Sequence, residues 1–269
     1  MYHKLTFRIL TLFVFLTASS ALSGQIVNIE QRRIKTDTTG WFGGLHFSFA
    51  GSKTTKSIVA FGAGTYLEWK PARKGDRSYN RDLWLFLTDF NLVSGNNEKF
   101  SNSGFGHIRF TRRLGRDYST LGKFVRWESF TQVQYNGLTK IGTRALFGTG
   151  PRFKLTDSEV SRFYFGVAYM YEYQELIDPA VFLREHRASS YFSFTLLPEE
   201  TVSFVSTTYF QPVINNVSDY RLSNETSLSL GISKGFAFRF SFNYNYNSTP
   251  PEGVPGSTYY FSNRLEFSF

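Results

Sequence analysis

The stretch "FAFRFSFNYNYN", residues 236–247, alternates between two kinds of side chain at every position. The first set is aromatic throughout: Phe236, Phe238, Phe240, Phe242, Tyr244 and Tyr246. The second set is small or polar and includes Arg239 and Asn243. Because successive side chains of a strand point to opposite faces, this stretch predicts a β-strand with one aromatic face and one polar face.

The same alternation runs through most of the chain, and no segment has a helical period. Twelve segments show it, at 41–51, 54–70, 80–94, 99–114, 122–135, 139–154, 158–175, 186–197, 200–211, 220–233, 236–247 and 257–269. Only the third, which contains "DLWLFLTDF", is apolar on both faces and receives no orientation. Most segments are longer than the about five or six residues of a typical strand, which argues against a β-sandwich.

A closed barrel in a membrane turns apolar residues outward to lipid and polar residues inward. Aromatic residues make up 19% of the chain, more than a soluble domain of this size would easily bury. The sequence therefore predicts an all-β fold, a transmembrane antiparallel up-and-down β-barrel of about 12 strands.

The first residues predict export. Lys4 and Arg8 flank the start of a short apolar run, "ILTLFVFLTA", and small residues follow in "SSALSG". This order is typical of a cleaved signal peptide, and the run is too short to span a bilayer. We expect a signal at 1–23, an N-terminal arm or short plug at 24–40, and the barrel at 41–269. The absence of cysteine excludes disulfides and thiolate metal sites and fits a bacterial envelope.

Aromatic residues near the segment ends predict girdles at the two membrane interfaces, where a ring contacts lipid and its polar group contacts water. Tyrosine dominates the rim at the outer ends of the strands, and tryptophan lies at the opposite rim. The expected girdle residues are Trp41, Trp69, Tyr135, Tyr171, Tyr173, Tyr209, Tyr220, Tyr244, Tyr246 and Tyr259.

Charged residues on the polar faces are the candidates for function. A charge facing lipid at the midplane costs about 2–4 kcal/mol, so these side chains are expected to face the lumen. They are Arg109, Arg126, Glu128, Arg144, Arg162, Glu172, Arg187, Arg221, Glu225, Arg239, Arg264 and Glu266. Because arginine outnumbers glutamate, one hypothesis is a narrow channel or binding barrel for a small, anion-leaning solute. The alternative is that arginine–glutamate ladders only fill and stiffen a narrow barrel.

Catalysis finds little support in the sequence. His186 lies near Ser189 and Ser190 in "EHRASS", which keeps open a lipid- or envelope-modifying hydrolase with an activated serine. His46 and His107 fall on polar faces, where hydrogen bonds within the lumen explain them. The "GAG", "GFG" and "GTG" motifs lie inside strands, where glycine lets a barrel bend or opposes a bulky neighbour, and not at a strand–helix junction that could hold phosphate. We expect no enzymatic activity, no cofactor and no metal.

Three stretches resemble a known family: "GWFGGLHFSFAGS", "FQPVINNVSDYRLSNETSLSLGIS" and "FNYNYNSTPPEGVPGSTYYFSNRLEFSF". They are similar to the salt-induced outer-membrane proteins, a Gram-negative family of unknown function. The opening "QIVNIEQRR" resembles versions of this family from the Bacteroidetes group. The resemblance implies an outer-membrane barrel, and it implies no catalytic residue.

These observations predict a protein of the cell outer membrane. The expected partners are outer-membrane lipids, the outer-membrane barrel assembly machinery and a small solute, with no nucleic acid. Phe267 and Phe269 are the expected assembly signal in the last strand. A further hypothesis is a structural or adhesive envelope protein that acts through its outer loops.

Overall fold

The computed structural model describes residues 39–53, 57–71, 81–95, 98–114, 124–177 and 180–268. The expected signal peptide, nearly all of the N-terminal arm and Phe269 lie outside the described residues. Twelve strands are present: β1 (Gly40–Lys53), β2 (Ser57–Lys70), β3 (Asp82–Gly95), β4 (Glu98–Arg113), β5 (Val125–Asn136), β6 (Ile141–Asp157), β7 (Ser161–Leu176), β8 (Phe182–Glu199), β9 (Val202–Val213), β10 (Asn216–Ser233), β11 (Phe236–Asn247) and β12 (Ser257–Ser268). They match the twelve predicted segments, with ends that differ by four residues at most.

The sheet closes on itself. Each strand pairs antiparallel with its sequence neighbour, and β1 pairs with β12 through Gly44 opposite Ser268 and Leu45 opposite Phe267. Closure pairs the backbone groups that an open sheet would leave at its edges, which is what a strand-built structure needs in lipid. We call the end where β1 begins and β12 ends the terminal end, and the opposite end the far end.

The two faces of the barrel are chemically distinct, as the alternation predicts. Large apolar side chains are exposed on the outside, among them Phe47, Phe49, Phe147, Phe192, Leu265 and Tyr259. The inside carries buried polar side chains, among them Glu128, Gln132, Arg144, Glu172 and Gln211. No helix in the described part of the chain is long and apolar enough to cross a membrane.

Register resolves the orientation of β3, which is apolar on both faces. Leu85 and Leu87 stand opposite Arg109 and His107 of β4 and are buried inside the barrel. Trp84 points to the outside, where it packs against Phe110 of β4 at 4.7 Å between ring centroids. The interior therefore includes an apolar section that alternation alone could not reveal.

Glycines inside strands make room for bulky interior neighbours. A Cβ at Gly148 would lie 2.2 Å from the ring of Phe130, its partner across β5 and β6. A Cβ at Gly166 would lie 2.1 Å from the ring of Tyr191 on β8. Only glycine allows these rings to lie flat against the barrel wall, which agrees with the interpretation of the "GTG" motif.

The aromatic residues at the two ends lie largely as expected. At the terminal end, the rings of Trp41 and Trp69 stack at 5.5 Å. At the far end, Tyr220 packs against Tyr246 at 5.6 Å on the outside of β10 and β11. Tyr209 is the exception, and its assignment to the girdle was wrong. Its position shares the inward face of β9 with Thr207 and Gln211, so the side chain is only 3% exposed.

Candidate functional site

The strand register places all twelve predicted charged positions on the inner face of the barrel. They are Arg109, Arg126, Glu128, Arg144, Arg162, Glu172, Arg187, Arg221, Glu225, Arg239, Arg264 and Glu266. Their role in function stays a prediction. What the structure adds is their grouping, because four of the arginines gather around two of the carboxylates.

The first group is centred on Glu172 of β7 and is called the Glu172 cluster. Arg144 of β6 binds the carboxylate with two hydrogen bonds, from Nε at 2.9 Å and Nη2 at 3.1 Å. Arg221 of β10 donates from Nη1 to both oxygens at 2.6 and 2.7 Å, and Arg187 of β8 lies at 3.2 Å. One buried carboxylate thus joins three arginines from three strands, so removal of Glu172 would leave three buried cations without their shared partner.

The Glu172 cluster extends to two further carboxylates, which balance its charge. Arg187 donates to Asp219 at 2.9 Å and also to Glu185. Arg221 reaches from β10 to Gln174 of β7, where its Nη2 donates to the amide oxygen at 3.2 Å. The side chain of Arg221 therefore crosses the interior between strands that are not neighbours, and it narrows the lumen near the far end.

The second group, the Glu128 cluster, lies nearer the terminal end. Glu128 of β5 receives hydrogen bonds from Arg109 at 3.2 Å and Arg152 at 3.3 Å. The hydroxyls of Tyr191 and Thr111 donate to the same carboxylate at 2.7 and 3.3 Å. Because two arginines share one carboxylate, this group carries a net positive charge.

His107 is buried next to the Glu128 cluster. Its Nε2 accepts a hydrogen bond from Nε of Arg109 at 3.4 Å, and its Nδ1 lies 3.0 Å from the amide oxygen of Gln132. This pattern fits a neutral imidazole that donates from Nδ1. The expectation that His107 forms hydrogen bonds within the lumen agrees with its position.

An apolar cluster lies on the same inner face as the two charged groups. It consists of Phe130, Leu146, Met170, Tyr191 and Tyr209. The sequence did not reveal it, because its members come from five strands and each stands among polar residues of its own strand. One signal was available in the sequence. Phe130 lies two residues from both Glu128 and Gln132, so it shares their inward face on β5.

The opposite side of the interior holds smaller side chains. Serine, asparagine and glycine predominate, with Ser48, Gly62, Gly64, Ser223, Ser227, Ser241, Asn243 and Ser262 on the inner face. Separate ion pairs lie among them, His46 with Asp89 at 2.9 Å, Lys70 with Glu68 at 2.8 Å and Arg239 with Glu266 at 2.8 Å. Most of the side chains on this side are smaller than those of the two clusters.

A loop covers part of the far end. Residues 248–256 join β11 to β12 and contain Pro250, Pro251 and Pro255, whose fixed φ stiffens the segment. A cavity beneath the loop is lined by its prolines, by Gln174 and Arg221, by Thr139 of the β5–β6 connection and by Ile141 at the start of β6. Because β5–β6 and β11–β12 lie on opposite sides of a twelve-stranded barrel, the loop extends across the opening.

His186 is not assembled into a catalytic pair with serine. Its ring lies on the outer face, with Nδ1 2.5 Å from the hydroxyl of Tyr169. Ser189 faces inward and accepts a hydrogen bond from Gln211 at 3.3 Å. Ser190 shares the outer face but lies four residues along β8, about 13 Å away, and it donates to the carbonyl of Phe210. Among the described residues, no group of three or more His, Asp or Glu could hold a metal ion.

The family comparison agrees with this architecture. Residues 76–269 match the family described as a protein of unknown function, DUF481. The chain belongs to this family. Membership in DUF481 confirms the resemblance to a family of unknown function, over a range that includes the second and third quoted stretches, and it assigns no activity.

Solved structures with a similar arrangement of strands are outer-membrane proteins. The NanC porin shares 13% identity and a TM-score of 0.45, over 85% of this chain and 98% of that one. The KdgM porin shares 11% identity and a TM-score of 0.42, over 86% of this chain and 99% of that one. No curated protein matches the DUF481 chain in sequence. At these identities, neither porin bears on what this barrel binds.

Proposed function

We propose that this chain is an outer-membrane barrel that binds or conducts a small anionic solute. The observation that carries the proposal is the polar inner face, where arginines share few carboxylates, inside a barrel whose outer face is apolar. The Glu128 cluster has two arginines for one carboxylate, and further arginines lie on the same face. Such a lining favours anions over cations of equal size.

The outer face supports the proposed placement in the outer membrane. Exposed phenylalanines and leucines surround the barrel, with tryptophan at one end and tyrosine at the other. In water this surface would favour aggregation, whereas in lipid it is the surface that a transmembrane barrel needs. The terminal end is proposed to face the periplasm, because bacterial barrels commonly keep both termini there.

The inner face supports the proposal of a narrow bore. Buried side chains occur around the whole circumference, from Asn91 on β3 through Gln211 on β9 to Ser262 on β12. The loop 248–256 lies across the far end above Arg221. The barrel is therefore proposed to admit small solutes only, and to open further when this loop moves.

Planar-bilayer recording tests the proposal. The purified barrel is expected to give small conductance steps, with a reversal potential in a chloride gradient that indicates anion selectivity. Replacement of residues 250–255 by a short Gly-Ser linker should increase the conductance, because it removes the stiff cover of the far end. Absence of conductance at any voltage, in both the parent and the loop variant, together with no binding of small anions, would overturn the proposal.

A further inference from the structure

Four arginines form a row on the inner face near the terminal end. Arg113 of β4 stands directly opposite Arg126 of β5, and Arg126 stands directly opposite Arg152 of β6. Arg81 precedes β3 and accepts a backbone hydrogen bond from Arg113 at 2.8 Å, so it occupies the next place in the row. We call Arg81, Arg113, Arg126 and Arg152 the basic row.

The row faces the lumen. Arg152 fixes this orientation, since its side chain is buried, donates to Glu128 and lies 3.8 Å above the ring centroid of Tyr164. Its opposite partners Arg126 and Arg113 share the same face by register. Both, with Arg81, are half-buried and lie at strand ends, where a solute entering the terminal end can reach them.

The charges along the row do not balance. Lys154 lies on the same face at the next inward position of β6 and adds to the positive charge, whereas Arg162 of β7 stands directly opposite Asp157. Glu128 lies on this face and binds Arg152 of the row, and the same carboxylate also serves Arg109, Thr111 and Tyr191. Asp82 is close in sequence, but it lies on the outer face, where it pairs with Arg112 at 2.8 Å. All four arginines make contacts within the barrel, so the sign of the local charge, and not a missing partner, is the observation that matters.

Like charges directly opposite each other on neighbouring strands are destabilising. Arg113, Arg126 and Arg152 stand opposite one another in this way, and a bound anion would offset the repulsion among them. The guanidinium group binds phosphate and carboxylate through two parallel hydrogen bonds. Three strand spacings separate the ends of the row, a span of about 14 Å, which suits a ligand with several anionic groups along its length.

We propose that the basic row is a binding site for a soluble oligoanion, a molecule that carries several phosphate or carboxylate groups. This inference rests on the proposed function and names the class of its solute. It also locates the first contact of that solute at the terminal end, where the half-buried arginines lie.

Calorimetric titration of the barrel in zwitterionic detergent micelles tests the site without requiring conduction. The probes are tripolyphosphate and propane-1,2,3-tricarboxylate, each at low and at moderate ionic strength. The wild-type barrel is expected to bind at least one probe, and salt should weaken the binding. Each of Arg113→Gln and Arg126→Gln should weaken it about tenfold, since each removes one charge-assisted contact.

Arg112→Gln is the matched control. Arg112 is next to Arg113 but faces outward, so its replacement removes one positive charge from the same end of the barrel and should leave affinity within about twofold. Arg126→Lys keeps the positive charge but cannot donate the two parallel hydrogen bonds of a guanidinium group. Its affinity should therefore lie between those of the parent and Arg126→Gln. Folding of each variant is checked by its heat-dependent shift on a gel.

Three results would overturn the inference: no binding of either probe at low salt, an equal loss in Arg112→Gln, or unchanged binding in both inward glutamine variants. If a glutamine variant does not fold, the affinity of Arg126→Lys decides, and a value equal to the parent's counts against the site. The stronger probe shows whether phosphate or carboxylate is preferred. Binding without conductance would contradict only the channel reading of the proposed function.

Discussion

The two halves of the barrel interior differ in how they are filled. The charged half, on the inner face of β4 to β9, contains most of the two carboxylate clusters and the apolar cluster. The small-residue half, on β10 to β12, β1 and β2, contains mainly serine, asparagine and glycine with isolated ion pairs. Because shared ion pairs and packed rings fix one half only, stability should depend on the charged half and passage of a solute on the other.

The largest effect is expected when the centre of the Glu172 cluster is removed. Glu172→Gln leaves Arg144, Arg187 and Arg221 buried without their shared charge, which should lower the free energy of unfolding by about 3–5 kcal/mol. Urea unfolding in micelles measures the change. The matched variant in the small-residue half is Glu266→Gln, which affects one partly solvated pair and should cost about 1 kcal/mol. Equal losses in the two variants would contradict the contrast between the halves.

The next effect concerns the interior tyrosine. Tyr209→Ala empties a place in the apolar cluster beside Tyr191, whose ring centroid lies 5.2 Å away, and should cost about 3 kcal/mol. Tyr244→Ala removes a ring of similar size from the outer face and should cost under about 1 kcal/mol. The same unfolding experiment compares them. A larger loss for Tyr244→Ala would contradict the claim that the apolar cluster around Tyr209 stabilises the barrel.

Tyr209 also shows why sequence predicted the fold better than the site. Alternation in twelve segments defines the strands, because lipid outside and polar groups inside impose opposite chemistry on successive residues. In β9, however, both faces carry hydroxyl side chains: Ser206 and Thr208 point outward, and Thr207 points inward beside Tyr209. Where the faces are alike, alternation does not orient a tyrosine, and only the pairing of Tyr209 with Tyr191 does.

The clusters were beyond the sequence for a related reason. The alternation of side chains along β7 and β10 predicts that Glu172 and Arg221 share the inner face. The two residues are separated by two intervening strands, however, and meet only because the barrel closes. The basic row depends in the same way on the registers of β3 to β6, which no local pattern specifies.

A third prediction places the path of a solute. The double variant Arg239→Ser, Glu266→Ser removes an ion pair of 2.8 Å from the small-residue half without leaving either charge alone. Single-channel conductance should rise by about twofold, because the widened path lies beside small residues. The double variant Asp82→Ser, Arg112→Ser removes a pair from the outer face and should leave conductance unchanged. A rise in the second double variant, or none in the first, would place the path elsewhere.

The smallest effect is expected for an ion pair on the outer face. Arg112 donates to Asp82 from Nε at 2.8 Å and Nη2 at 3.1 Å, a two-bond geometry like that between Arg144 and Glu172. The side chain of Arg112 is 43% exposed, however, whereas Arg144 is fully buried. Arg112→Gln should therefore lower the free energy of unfolding by only about 0.5 kcal/mol. A loss near that of Glu172→Gln would mean that geometry, and not burial with shared partners, determines how much these ion pairs stabilise the barrel.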